Sequence, residues 1–167
     1  MALNRHKPSP HYDAALRAMR LKHPDEGKAL GLLRKAHRAN DPRATYALAT
    51  WHLFGKGGLS RDLREAAGLL GHAAKSGMPE ALFDLAVCYE QGAGVGRNTK
   101  RAALLYMDAA IRGDKQAVFE VGRCYYAGIG VKKDRAIAEV WFQRADELGV
   151  YEAAESLSES QKGRRKR

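Results

Sequence analysis

Chemistry in this chain would have to come from two cysteines, six histidines, one glycine-rich loop, an aromatic series and a basic end. Gly92-Ala93-Gly94-Val95-Gly96 has the composition of a phosphate cradle, where backbone N–H groups can close on an anion because no side chain holds it off. The same signature returns 36 residues later as Gly128-Ile129-Gly130. Neither loop follows a strand-like run, and neither is followed by Lys-Ser or Lys-Thr at P-loop spacing, so both read as turns. The histidines, at 6, 11, 23, 37, 52 and 72, include no pair at i, i+3 or i+4. No carboxylate cluster joins them, and a metal site needs such convergence. Cys88 and Cys124 lack any neighbouring base and read as buried reduced thiols rather than as nucleophiles or a disulfide. The sequence thus points to no catalytic residue, no cofactor and no metal.

A binding surface is the better candidate. Tyr46, Phe83 and Phe119 recur at intervals of 37 and 36 residues, with Thr50, Phe54, Val87, Glu90, Gln91, Arg123 and Tyr126 close by in sequence. Aromatic and arginine side chains dominate interface energetics because they bury much area at modest entropic cost. The three recurring rings fit core packing between helices as well as a site, and both readings stand at this point. Arg123 and Tyr126 are expected to be exposed, with Glu90 and Gln91 setting specificity. At the other extreme, Lys162, Arg164, Arg165, Lys166 and Arg167 form a basic tail suited either to solubility or to phosphate backbones.

The elements that position these residues follow from a period. Ala81 to Gly113 laid over Ala117 to Gly149 gives ten identities in 33 positions, among them Cys88/Cys124, Tyr89/Tyr125, Gly92/Gly128, Gly94/Gly130 and Ala109/Ala145. A fixed period of this length marks stacked supersecondary units. Ala66, Ala73 and Gly77 stand 36 residues before Ala102, Ala109 and Gly113, which adds an earlier copy. Its first half is offset by one residue, absorbed in Gly55-Lys56-Gly57-Gly58-Leu59. Ala29, Ala36 and Asn40 mark a more degenerate copy still, with Asn in place of the helix-ending glycine.

Within one copy, Ala81, Leu85, Ala86 and Tyr89 share a helical face. Gly92 and Gly94 break that pattern, Asn98 and Thr99 offer N-caps, and Ala102, Leu105, Tyr106, Ala109 and Ala110 define a second helix closed by Gly113. β-branched residues nowhere alternate with polar ones for long, so the expectation is all-α.

The string Ala81-x-x-x-Leu85-Ala86-x-x-Tyr89-x-x-Gly92-x-Gly94-Val95-x-x-Asn98, followed by Ala102 and Ala109-Ala110-x-x-Gly113, resembles the Sel1-like repeat, a relative of the tetratricopeptide repeat. The next copy is similar through Val121-Gly122, Tyr125, Gly128, Gly130, Val131, Asp134, Ala138, Trp141-Phe142, Ala145 and Gly149. Leu59 for valine, His52 for tyrosine and Lys56 in the first loop depart from the pattern. The resemblance implies a right-handed α/α solenoid of Sel1-like helical hairpins that scaffolds protein contacts, with first helices lining a concave face.

In chain order, residues 1–9 read as a flexible arm and 10–41 as a degenerate first hairpin. Three repeats follow at 42–77, 78–113 and 114–149, then a capping helix at 150–161 and a disordered basic tail at 162–167. No apolar run suggests a signal peptide or membrane span, so a cytoplasmic location is expected. Residues 1–41 and 162–167 each carry +5 of the formal +10, and residues 42–161 hold fifteen bases and fifteen acids. A uniformly basic nucleic-acid groove is therefore not supported. The expected function is a non-catalytic protein-interaction module of the adaptor, regulator or toxin-immunity type. The alternative is a nucleic-acid-associated protein using both basic ends.

Overall fold

A computed structural model describes residues 8–164, with side chains through residue 159. Among the described residues there are nine helices and no strand: α1 (Pro10–Met19), α2 (Glu26–Arg38), α3 (Pro42–Phe54), α4 (Leu63–Ala74), α5 (Pro79–Gln91), α6 (Thr99–Ile111), α7 (Lys115–Ala127), α8 (Arg135–Glu147) and α9 (Tyr151–Arg164). They pair as hairpins α1/α2, α3/α4, α5/α6 and α7/α8, each second helix also packs on the next first helix, and α9 closes the stack on α8.

Local chemistry sets the helix ends. Asp25, Asp41, Asp62, Asn98, Asp114 and Asp134 stand at N-caps, and each side chain accepts from a backbone N–H of the first turn. First helices α3, α5 and α7 end at Gly55, Gly92 and Gly128 in the left-handed conformation. A second period appears in the hairpin loops, where Asn98 N–H donates to Tyr89 O (2.7 Å) and Asp134 N–H to Tyr125 O (2.9 Å). Asp62 N–H makes the same bond to His52 O at 2.9 Å across a loop one residue longer. The inserted residue and the departures at Lys56, His52 and Leu59 therefore leave the turn's closing bond intact.

Alanines carry the stacking. Ala29, Ala36, Ala44, Ala66, Ala81, Ala102, Ala117 and Ala138 have no measurable exposure. A methyl group at a crossing lets backbones approach while a larger neighbour fills the space beside it. Gly122 extends this logic, since a Cβ there would overlap the Phe142 ring by contact at 2.6 Å. The second loop glycines seal the repeats together: a Cβ on Gly94 would collide with the Leu63 carbonyl, and one on Gly130 with the Thr99 carbonyl.

Two boundary expectations are corrected. Ser9 is not part of a loose arm: it is buried, caps α1, and its N–H donates to Asp41 Oδ2 at 2.8 Å. The buried carboxylate needs donors, and Arg43 supplies two more. The last helix runs to Arg164 instead of stopping at 161. Lys and Arg are good helix formers, and positive charge suits a helix C-terminus. Residues 1–7 of the expected arm, and Arg165, Lys166 and Arg167 of the expected tail, lie outside the described residues.

Candidate functional site

First helices meet directly on one side of the stack. The Tyr46 hydroxyl on α3 donates to Asp84 Oδ2 on α5 at 2.9 Å. Arg123 on α7 reaches back to Glu90 on α5, with Nη2 at 2.7 and 2.9 Å from its two oxygens, and its Nε donates to Glu120 at 2.6 Å. Between second helices lie cavities of about 390 Å³ (α2 and α4) and about 590 Å³ (α4 and α6).

Arg123 was expected to be exposed and available to a partner. Its side chain is one third exposed, and both of its ends are held. Burial alone would lower its pKa, but the hydrogen bonds it donates to Glu90 and Glu120 raise it above its ordinary value. Glu90 is equally committed, because it also accepts from the Tyr106 hydroxyl at 3.0 Å. Burial pushes the Glu90 carboxyl up, yet the Arg123 guanidinium outweighs it and holds the group below the usual glutamate value. These residues form a structural clamp between repeats. The physical reason is that a cation placed between two partly buried carboxylates gains more by pairing than by facing solvent.

The remaining predicted residues sort by environment. Phe83 and Phe119 are partly buried and pack on Tyr106 and Phe142, with ring centroids 5.5 Å apart in both pairs. Both rings therefore serve the core on one side and the surface on the other. Tyr46 has its hydroxyl engaged by Asp84, and Thr50 donates to Ala47 O at 2.8 Å. Tyr126 is half-buried beside Phe142, with the Arg135 guanidinium 5.4 Å from its ring centre. Phe54 is 69% exposed, and Gln91 is exposed. Phe54, Val87 and Gln91 come together around a cavity of about 300 Å³ at the α3/α5 seam, where Leu53, Leu63, Cys88 and Ala93 add apolar wall and Asp84 and Arg61 add one charge of each sign. Burial pushes the Asp84 carboxyl above the usual range, with Asp114 and Glu80 adding like charge against the lowering effect of Tyr46.

Charge within the three repeats is balanced on both sides of the stack: α3, α5 and α7 carry four acids against three bases, and α4, α6 and α8 carry five of each. The excess sits at the ends, where α2 carries four bases against one acid and residues 151–159 of α9 carry three acids and no base. On α9, Glu155 and Glu159 occupy the period positions of Phe119 and Arg123.

A grouping absent from sequence spacing is formed by His37, His52 and His72, contributed by α2, α3 and α4. His37 and His72 meet edge to face at 5.7 Å, and His37 Nδ1 lies 2.8 Å from Thr45 Oγ1. Burial, then His72, lowers the His37 pKa. Among the described residues no three His, Cys, Asp or Glu side chains converge as metal ligands. Both thiols are buried, and burial pushes Cys124 up to about 11 and raises Cys88. A thiol so placed is a weak nucleophile, since only the thiolate reacts. No helix of the described residues is long and apolar enough to cross a membrane.

Comparison with known proteins follows from this architecture. No curated protein matches the sequence. Among solved structures, a Sel1 repeat protein of Oxalobacter formigenes is similar at 27% identity and a TM-score of 0.80, over 88% of this chain and 60% of that one. A protective antigen of uropathogenic Escherichia coli displaying an SLR fold is similar at 24% identity and 0.81, over 89% of this chain and 34% of that one. Cysteine-rich protein B of Helicobacter pylori is similar at 24% identity and 0.61, over 83% and 99%. The chain thus spans 60% and 34% of the length of the first two, and the two likenesses at 24% concern the fold. The Sel1 repeat pattern itself matches at residues 42–78, 79–114 and 115–150. With more than half its length in three consecutive copies of that repeat, stacked as hairpins through buried alanines and loop glycines, the chain belongs to the Sel1 repeat family.

Proposed function

We propose that this chain is a non-catalytic cytoplasmic protein-interaction module, of the adaptor, regulator or toxin-immunity kind, and that its first-helix face receives a partner protein. Sel1 repeats generally mediate contacts between proteins. The observation that carries the reading is Phe54, a ring 69% exposed beside the roughly 300 Å³ seam cavity, with Gln91, Asp84 and Arg61 supplying polar groups at its edge. An aromatic anchor next to an unfilled apolar recess, ringed by a few polar groups, is the composition of an interface hot spot. Arg123 and Glu90 act by holding α5 and α7 in register, so they shape the surface without being its free contacts.

The test is retention of proteins from a cytoplasmic extract by the full chain, with and without nuclease, repeated for Phe54→Ala/Gln91→Ala. A discrete protein that survives nuclease and is lost by the double variant, whose melting temperature stays unchanged, supports the proposal. A partner retained equally by both forms refutes this surface. Retention that vanishes with nuclease moves the function to nucleic acid held by the basic ends.

A further inference from the structure

The largest cavity named above lies on the second-helix side, between α4 and α6 over the outer surface of α5. Its floor is apolar: Leu82, Leu85 and Leu105 line it. Its rim carries Arg64, His72 and Lys75 from α4 and Arg101 from α6, and no acidic side chain lines it. The nearby Glu65 turns instead into the neighbouring cavity with His37. Among the described residues Arg64, Lys75 and Arg101 make no ion pair. The Arg101 guanidinium lies 4.4 Å from the centre of the Tyr89 ring. Stacking of this kind fixes the plane of the group while leaving its edge N–H donors for a carboxylate.

Two glycines of α4 lie along the cavity. Gly68 and Gly71 line it, and a Cβ built on either meets nothing within 4 Å. The equivalent positions one and two repeats later are Leu104 and Val140, and Met107 and Gln143. Two glycines inside a helix cost about 1 kcal/mol each relative to alanine, and here no close packing requires them.

We propose that this groove is a second docking site, independent of the first-helix surface, and that its occupant is a partner segment in which carboxylates flank apolar side chains. Charge complementarity selects the acids, because three unpaired cations surround the groove with no acid among its lining residues. Length selects a chain over a single small anion. Arg64 and Lys75 are eleven residues apart along one helix, or roughly 16 Å at 1.5 Å per residue. An extended segment rising roughly 3.3 Å per residue spans that gap with acids about four or six positions apart, an even spacing that keeps both on the face toward the groove. The side chains between them then reach the leucine floor.

The test is selection of a random-peptide display library on the full chain, followed by fluorescence polarisation with the recovered peptides. The expected peptides carry two or more Asp or Glu about four or six positions apart, with Leu, Ile or Phe between on the same face. Gly71→Leu, which fills the groove and improves helix propensity, should weaken them by about tenfold or more with no fall in melting temperature. Arg64→Gln/Lys75→Gln should weaken them and flatten their salt dependence. Peptides without acidic enrichment, peptides that bind Gly71→Leu as well as wild type, or an empty selection would each overturn the proposal. So would an RNA oligonucleotide that binds tightly and is displaced by Gly71→Leu, since it would make the occupant a nucleic acid.

Discussion

Gly128 and Gly130 share one loop and one backbone conformation, with φ of 78° and 70°, so replacing each by alanine separates two reasons for a glycine. An L side chain in the left-handed region costs roughly 1–2 kcal/mol. Stiffening the unfolded chain offsets roughly 0.4–1 kcal/mol of that. At Gly128 a new Cβ meets nothing nearer than Lys133 Cβ at 3.3 Å, so little else is added. The net loss for Gly128→Ala is about 1 kcal/mol. At Gly130 the same Cβ lands inside the van der Waals shell of the Thr99 carbonyl oxygen. Thr99 is the first residue of α6, and its backbone cannot rotate aside as a side chain would. Overpacking costs roughly 1–3 kcal/mol even where side chains yield, so Gly130→Ala should lose about 4 kcal/mol in all. A protein of this size loses roughly 2–4 °C of melting temperature per kcal/mol. The expected falls are thus roughly 2–4 °C for Gly128→Ala and 8–16 °C for Gly130→Ala. Gly96→Ala, with no positive φ and nothing within 4 Å, is the control: only the stiffened unfolded chain remains, so it should melt roughly 1–4 °C above wild type. Thermal unfolding followed by far-ultraviolet circular dichroism measures all three at one concentration. Equal melting of Gly128→Ala and Gly130→Ala would refute the reasoning, because backbone conformation would then account for everything and the contact between repeats for nothing.

Arg123→Met removes three charge-assisted hydrogen bonds and leaves Glu90 facing Glu120. Discounted for a guanidinium one third exposed, the cost is about 2 kcal/mol. The Glu90 carboxyl is held below its ordinary value of 4.5, so its contribution is present above that pH and disappears as pH falls through the depressed native value. The gap in melting temperature between wild type and variant should accordingly narrow in acid, and a gap that widens there would contradict the clamp. Asp84 has the opposite sign: its raised native value means that stability is lost as pH rises through it. Asp84→Asn keeps an acceptor for Tyr46, so it should raise the melting temperature at neutral pH and leave it unchanged at acid pH, as a pH series of melts would show. Thiol titration with an aromatic disulfide reagent should find Cys88 and Cys124 unreactive in the native chain and both reactive in denaturant; fast native labelling of either would contradict their burial.

The recurring residues that were most legible act within a few positions of themselves. Asn98 caps the helix it precedes, Gly92 ends the one it follows, and Asn40 adopts φ of 58° where the later copies carry glycine. The candidate surface was legible only as a set of positions. Phe54 and Gln91 are exposed, whereas Arg123, Glu90 and Tyr46 are engaged by partners 33 and 38 residues away. No period announces such pairings, because they depend on what the neighbouring repeat happens to carry at the facing position. His37, His52 and His72 escaped a search for i, i+3 and i+4 spacing for the same reason, as each sits on a different helix.

By itself the sequence determined the repeating unit, its helices, its turns and its family, because these follow from local backbone preference and from alanines and glycines recurring at a fixed interval. Tertiary structure alone decided what the surfaces are. Stacking ties Tyr46 to Asp84 and Arg123 to Glu90 across repeats, so residues that spacing offered as contacts become struts. It also sets α4 and α6 on either side of Gly68 and Gly71, leaving a groove whose lining no single repeat contains, since only packed helices can hold such a space open.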